Sequence, residues 1–216
     1  MKFYKINKNN SILFIIVILF VSLGTNVYTS AVNLRYEILV GKETYKSVEE
    51  IRHRNESILN TLNQCIKSGS VSDEELLRLY KGYLSISNEF TSLWSNYKSY
   101  KNGNIISINK KMTKSEEIPS EVYLRIESLL FEYLNIKMSN DEERIILENK
   151  MLDNFISMRD LSDEINDFYN EFTLKKFENM NEKDKEIISI RKRYWIDVLR
   201  DTNTIMNSYL NYEFTV

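Results

Sequence analysis

One pair of side chains in this sequence has the spacing of a metal-ligand motif. Glu50 and His53 lie three residues apart, and on a helix this spacing places both side chains on one face. Di-iron carboxylate bundles use such a pair twice, with two further glutamates, whereas this chain contains a single histidine. Arg52 and Arg54 would in addition repel a divalent cation. We therefore predict no metal site, and a solvated helix face at these residues.

The sequence also lacks the residues that nucleophilic and acid–base catalysis usually need. Histidine is the usual general base near neutral pH, and His53 is the only histidine; there is also no G-x-S-x-G turn, glycine-rich phosphate loop or C-x-x-C pair. Adjacent glutamates occur at Glu49-Glu50, Glu74-Glu75, Glu116-Glu117 and Glu142-Glu143. Three of these pairs fall in predicted first helical turns, where the helix dipole favours negative charge. We predict a protein that is not an enzyme and has no cofactor, with carboxylate catalysis as the remaining alternative.

A basic and aromatic cluster near the C-terminus could in principle contact nucleic acid. Arg191, Lys192 and Arg193 precede Tyr194 and Trp195. Acidic residues share these turns (Glu186, Asp197 and Asp201), and the whole chain has a net charge of −2, whereas a nucleic-acid binder needs a basic excess. We therefore predict a solvated face with internal ion pairs here, and no nucleic-acid partner.

The only cysteine, Cys65, lies between Leu62 and Ile66 on a predicted helix. Its neighbours favour burial as a small hydrophobic residue. A dimer-forming or redox-active thiol is the alternative.

Tyrosine supplies the residues from which a binding surface could be built, since the chain holds 14 Tyr and 10 Phe. Aromatic residues at helical spacing usually belong to the core, and we assign Trp94 there. Tyr97, Tyr100, Tyr209 and Tyr212 lie near the ends of long predicted helices, where their hydroxyls could reach water. We therefore name these four tyrosines as a hypothetical contact surface, because aromatic residues are concentrated in interfaces.

The N-terminus has the composition of an export signal. Three lysines in the first eight residues precede a twelve-residue segment, Ile12–Leu23, in which only Ser22 is not apolar. A small and polar stretch follows, and Thr29 and Ala31 place small residues at the two positions that a signal peptidase recognises. This order predicts cleavage after Ala31, which divides the chain into a signal or anchor segment, 1–31, and an extracytoplasmic helical domain, 32–216.

An uncleaved membrane anchor is the alternative. A spanning helix needs about 20 mainly apolar residues, and the uncharged run from Asn9 to Leu34 is long enough. In that case membrane contact would be made through residues 12–31 alone. Both interpretations place the chain after residue 31 outside the cytoplasm, because the three lysines stay inside.

The rest of the chain has the periodicity of amphipathic helices. We predict an all-α fold, an elongated bundle of about five helices near 47–68, 72–101, 119–137, 140–179 and 182–212. Capping boxes at Ser47, Ser72 and Ser139, Pro119 in a first turn and Asn181 mark the expected starts. Two short β-branched stretches, 34–40 and 105–108, could instead pair as a ribbon or pack as loops.

Composition permits this fold, since 43% of the residues are hydrophobic and 28% are charged. The scarcity of Ala, Pro and Gly beside abundant Ile, Asn and Lys suggests an AT-rich genome, such as that of a low-GC Gram-positive bacterium. Together these features predict an exported, non-enzymatic helical interaction domain that binds a protein or envelope component at or outside the membrane. The alternative is a single-pass, membrane-tethered helical sensor or adaptor that works through a membrane partner.

Overall fold

The protein is all-α. A computed structural model describes residues 8–103, 112–138 and 143–216. Within these residues the chain forms six helices and two three-residue strands. The helices are α1 (Lys8–Ser68), α2 (Asp73–Gly103), α3 (Val122–Met138), α4 (Asn149–Phe177), α5 (Glu182–Lys192) and α6 (Tyr194–Ser208); the strands are β1 (Ser70–Ser72) and β2 (Arg144–Ile146).

The chain divides into two units, Met1–Gly41 and Lys42–Val216. In the described part of the first unit, the chain is the N-terminal portion of α1. The second unit is a helical bundle, and its core takes side chains from α1, α2, α3, α4 and α6.

The apolar positions predicted to face inward do so in most cases. In α3 the five residues of the apolar repeat are all buried: Val122, Ile126, Leu129, Leu130 and Tyr133. In α2 the apolar face from Leu76 to Tyr100 is buried or half-buried along its whole length. Ile187 in α5 is an exception, since it is exposed. The repeat of apolar residues at helical spacing therefore located the bundle core correctly over most of the chain.

α1 begins far before the capping box at Ser47, so the predicted start of the first helix was wrong. Ser47 lies inside α1 and is buried, and the stretch 34–40, considered above as a ribbon strand, is also helical. A box of this type satisfies orphan amides only where no preceding turn of helix supplies carbonyls to them. Because the helix continues upstream, the motif has no capping role here.

The start of α2 is as predicted, and it is joined to a small β ribbon. The side chain of Glu75 accepts a hydrogen bond from the Ser72 amide at 2.8 Å, and the Ser72 hydroxyl accepts one from the Glu75 amide at 3.3 Å. The antiparallel partner of β1 is β2, with Val71 opposite Ile145. The ribbon considered above would have used 105–108, which lie outside the described residues.

α2 packs against the C-terminal half of α1. Gly82 marks the close approach: a Cβ atom built on it would lie 2.9 Å from Cγ1 of Ile58. Any larger residue at position 82 would therefore require the Ile58 side chain to shift.

α3 begins at Val122 rather than at Pro119. The side chain of Asn203 in α6 explains the difference, because it binds the preceding segment in a non-helical conformation. Its amide nitrogen donates to the Ile118 carbonyl at 2.9 Å, and its oxygen accepts from the Ser120 amide at 2.8 Å.

The predicted helices 140–179 and 182–212 also differ from the structure. Residues Arg144–Ile146 form β2, and α4 starts only at Asn149; the Ser139 box lies outside the described residues. The last helix starts where predicted, since the Asn181 side chain accepts from the Asp184 amide at 3.0 Å. It is then interrupted at Arg193, whose backbone is left-handed with φ of 51°, so that α5 and α6 are separate.

Candidate functional site

The first unit exposes an apolar helix surface. Every described side chain from Ile12 to Leu39 is exposed, including those of Leu13, Phe14, Leu19 and Phe20 in the predicted hydrophobic core of the signal. Within the described residues, α1 is the one helix long and apolar enough to cross a membrane, by length and composition. Residues Ile12–Leu39 therefore form a continuous helix in which no described side chain is buried.

The exposed apolar residues of α1 continue beyond the predicted cleavage point. After Ala31, the chain exposes Val32, Leu34, Tyr36, Ile38 and Leu39. A new N-terminus at Val32 would carry this apolar surface into water.

In the second unit, α3 carries an exposed apolar row on the face that is turned away from the core. Leu124, Phe131 and Met138 are spaced seven residues apart and are 55%, 51% and 84% exposed. Residues seven apart lie on one side of a helix. We call these three residues the α3 stripe.

The α3 stripe extends onto the neighbouring helix. The rings of Phe131 and Tyr80 in α2 have their centroids 6.0 Å apart, and Leu77, one turn before Tyr80, is exposed. Phe131, Tyr80 and Leu77 thus bring exposed apolar surface of two helices together, and exposed apolar patches are typical of protein-binding surfaces. Sequence reasoning missed this surface, because the seven-residue spacing of Leu124, Phe131 and Met138 marks one helix face but does not show whether that face is packed or exposed.

The four tyrosines named from the sequence do not form one exposed surface. Tyr97 is 2% exposed, and its hydroxyl accepts a hydrogen bond from the Met112 amide at 2.8 Å. Burial raises the pKa of Tyr97, and the Met112 hydrogen bond opposes this shift. Tyr100 is half-buried, edge-on to Trp195, with the Arg193 guanidinium 5.1 Å from its ring centroid. These two tyrosines bind neighbouring segments to the end of α2.

Tyr209 and Tyr212 are half-buried at the C-terminus and also have internal partners. The Tyr209 hydroxyl donates to Glu164 Oε1 at 2.8 Å, and the Tyr212 hydroxyl donates to Asn154 Oδ1 at 3.0 Å. Lys150 Nζ lies 4.5 Å from the centroid of the Tyr212 ring. Both tyrosines therefore bind the C-terminal residues to α4 by hydrogen bonds.

The Glu50–His53 pair is not assembled as a metal site. Glu50 Oε1 lies 2.6 Å from Nε of Arg54, so it forms an ion pair with the next turn of the helix. His53 lines an open pocket of about 310 Å³ between α1 and α2, with Glu56, Asn60, Gln64 and Arg78 among its other walls. Among the described residues, no group of three or more His, Cys, Asp or Glu side chains could hold a metal ion.

Cys65 is buried in the core, as expected. Burial raises the pKa of its thiol to about 12, and the negative charge of Glu75 acts in the same direction. A thiolate is the reactive form of cysteine. Cys65 therefore packs as a hydrophobic residue.

A small pocket lies among α1, α4, α5 and α6. Tyr45, Tyr169, Phe172, Tyr194 and Trp195 contribute to its walls, and its volume is about 30 Å³. A water molecule needs at least about 10–15 Å³ of such space, whereas ligand pockets are about tenfold larger or more. This pocket can admit water but is too small for an organic substrate.

The fold and its exposed surfaces define an all-α bundle with an apolar N-terminal helix. Comparison of the chain with protein families, with curated proteins and with solved structures found no match.

Proposed function

We propose that this protein is a non-enzymatic helical interaction domain that is held at the outer face of a membrane by α1 and binds a protein through the α3 stripe. The observation that carries the proposal is the apolar surface of α1, which is exposed from Ile12 to Leu39.

Retention of α1 is favoured over cleavage because its uncharged apolar run continues past Ala31, the predicted cleavage point. An uncharged run of 26 residues, Asn9–Leu34, separates Lys8 from Arg35. At about 1.5 Å per residue, this run extends about 39 Å and exceeds the thickness of the hydrocarbon layer. Cleavage after Ala31 would leave Val32 and Leu34, the last apolar side chains of this run, exposed to water, which is unfavourable in proportion to their area.

The orientation of α1 in the membrane follows from the charges of the residues that precede it. The first eight residues contain Lys2, Lys5 and Lys8 and no acidic residue, so the positive-inside rule keeps them in the cytoplasm and places the bundle outside.

A secreted, cleaved form is the second candidate. Thr29 and Ala31, the small residues before Val32, favour it because signal peptidases recognise small residues at these positions. The interaction function of the bundle is the same in both cases; the location of the protein differs.

The α3 stripe supports the proposed binding of a protein. Its three side chains lie on one face of a helix, and Tyr80 and Leu77 of α2 broaden it. A surface of this kind fits an amphipathic helix or an apolar groove of a partner, because exclusion of water from large apolar side chains stabilises the contact.

The first experiment measures the location and the intact mass of the full chain with a C-terminal tag in a Gram-positive host. We expect the full-length mass in the membrane fraction, resistant to alkaline extraction. Protein in the medium with a mass that starts at Val32 would contradict retention and favour the secreted candidate.

The second experiment tests the α3 stripe. A photo-crosslinking amino acid at Ser128, an exposed residue in the same helix, should form a discrete product with a cellular protein. We expect F131E combined with M138E to lower its yield about tenfold or more, since central apolar contacts commonly contribute 2 kcal/mol or more to binding. The matched control is L174E in α4, where Leu174 is 70% exposed. Equal yields from all three proteins would refute binding through the α3 stripe.

A further inference from the structure

A row of polar side chains runs along the apolar part of α1. Ser22, Asn26, Ser30 and Asn33 follow one another at intervals of four, four and three residues. These intervals place all four on one helix face. We call them the polar row; Gly24, Tyr28 and Ala31 lie on the opposite face.

If α1 is retained as a membrane anchor, the polar row lies within the membrane. The inference therefore rests on the proposed function. The midpoint of the uncharged run Asn9–Leu34 falls between Val21 and Ser22. Asn26 is then about 7 Å from the midpoint, well inside a hydrocarbon layer about 30 Å thick. Ser22 is close to the centre, and Asn33 reaches the outer boundary.

Asn26 has a hydrogen-bonding requirement that its own helix does not meet. The hydroxyl of neighbouring Thr25 donates to the Ser22 carbonyl at 2.9 Å, so that side chain is satisfied locally. The Asn26 amide is exposed, and within the described residues its side chain makes no hydrogen bond. An amide has two donor hydrogens and an acceptor oxygen, and leaving them unpaired in hydrocarbon is costly.

A second copy of this chain is the partner that these observations favour. The lysines of the first segment give every copy the same orientation, so Asn26 of one copy lies at the same depth as Asn26 of another. Around a twofold axis the same residues face each other, and a carboxamide is complementary to itself because it both donates and accepts. Small serines on either side of Asn26 allow two helix backbones to approach closely.

We propose that α1 forms a parallel homodimer in the membrane through the polar row, with Asn26 paired across the twofold axis. The dimer presents two bundles, and hence two α3 stripes, on one side of the membrane. Binding to a partner with two sites is then strengthened by the linkage of the copies.

Cysteine cross-linking of the full chain in membranes tests this arrangement. Single cysteines are introduced as S22C, S30C and N33C on the polar row, which leaves Asn26 intact, and as G24C, Y28C and A31C on the opposite face. Cys65 is buried, so the unmodified chain is a control that should not cross-link. After mild oxidation, we expect several-fold more disulfide-linked dimer from each polar-row variant than from each variant of the opposite face.

A second measurement isolates the Asn26 amide. In the S22C background, N26L should weaken dimerisation about three- to thirtyfold, because hydrogen bonds between membrane helices contribute about 0.6–2 kcal/mol. Y28L is the matched control on the opposite face and should leave the dimer yield unchanged.

The outcomes separate this inference from the proposed function. Full-length protein in the membrane, with equal cross-linking on both faces or more on the opposite face, would overturn the homodimer and leave the anchor intact. Unchanged dimerisation by N26L would overturn the role of Asn26. Release of a chain that starts at Val32 would overturn the anchor, and the homodimer with it.

Discussion

Glu75 joins three structural features at one carboxylate. Its Oε2 atom accepts hydrogen bonds from the amide and the hydroxyl of Ser72, at 2.8 and 2.9 Å, and from Nη2 of Arg144 at 2.8 Å. The start of α2, strand β1 and strand β2 are therefore held together by one side chain. Partial burial by itself would raise the pKa of Glu75, but the hydrogen bonds from Ser72 and the charge of Arg144 outweigh it and lower the pKa.

The lowered pKa of Glu75 predicts a loss of stability in acid. A carboxyl group with a folded pKa below its unfolded value, about 4.3, stabilises the fold above that value and ceases to do so as pH falls through the folded pKa. We expect E75Q to lower the free energy of unfolding by about 1 kcal/mol at pH 7 and to flatten its decrease below about pH 5. Denaturant unfolding at several pH values measures both. E74Q is the control, since Glu74 is 83% exposed and forms a surface ion pair with Arg78; an equal response from the two variants would contradict the role of Glu75.

At the scale of the element, the break between α5 and α6 depends on one residue in an unfavourable conformation. Arg193 has φ of 51° and ψ of 45°, and its amide donates to the Ile190 carbonyl at 3.2 Å, which ends α5. Side chains other than glycine are disfavoured in this region by about 1–2 kcal/mol. The Arg193 guanidinium, 5.1 Å from the centroid of the Tyr100 ring, offsets part of this cost.

A comparison of two substitutions at Arg193 isolates the backbone effect. R193G and R193A both remove the guanidinium, so the difference between them reports only the cost of the left-handed backbone. We expect R193G to be more stable than R193A by about 1 kcal/mol, since glycine adopts positive φ freely. Thermal unfolding of the two variants gives the difference. If R193A were as stable as R193G, α5 and α6 would be able to join as one helix, and the break would not be intrinsic to the fold.

The elements differ in how far the sequence could predict them, and the reason is physical. The start of α2 was predictable because Ser72 and Glu75 satisfy each other's amides locally. The same pattern at Ser47 failed because a motif of four residues carries no information about whether a helix precedes it. The break at Arg193 had no local signal, since arginine is an ordinary helix former and its conformation is stabilised by distant contacts.

For the candidate sites, the N-terminal segment was predictable from composition alone, whereas the tyrosines were not. An apolar run can be identified from its own residues, without knowledge of any tertiary contact. The burial of Tyr97 depends on Met112, which lies fifteen residues further along the chain, and the sequence does not reveal that contact. The α3 stripe required knowledge of which face of α3 packs on α2, because this helix has apolar residues on both sides.

For the whole molecule, the side of the membrane on which the bundle lies depends on three charges. Lys2, Lys5 and Lys8 precede the span without an opposing acidic residue, and basic residues near a span are retained in the cytoplasm. Protease added to intact protoplasts should therefore digest a C-terminal tag on the unmodified chain. Changing the three lysines to glutamate should reduce the digested fraction several-fold, because insertion loses its charge bias. The matched control changes Lys98, Lys114 and Lys183, three exposed lysines of the bundle, to glutamate and preserves the N-terminal charge. Protection of the tag on the unmodified chain would place the bundle in the cytoplasm, and the partner of the α3 stripe would then have to be sought there.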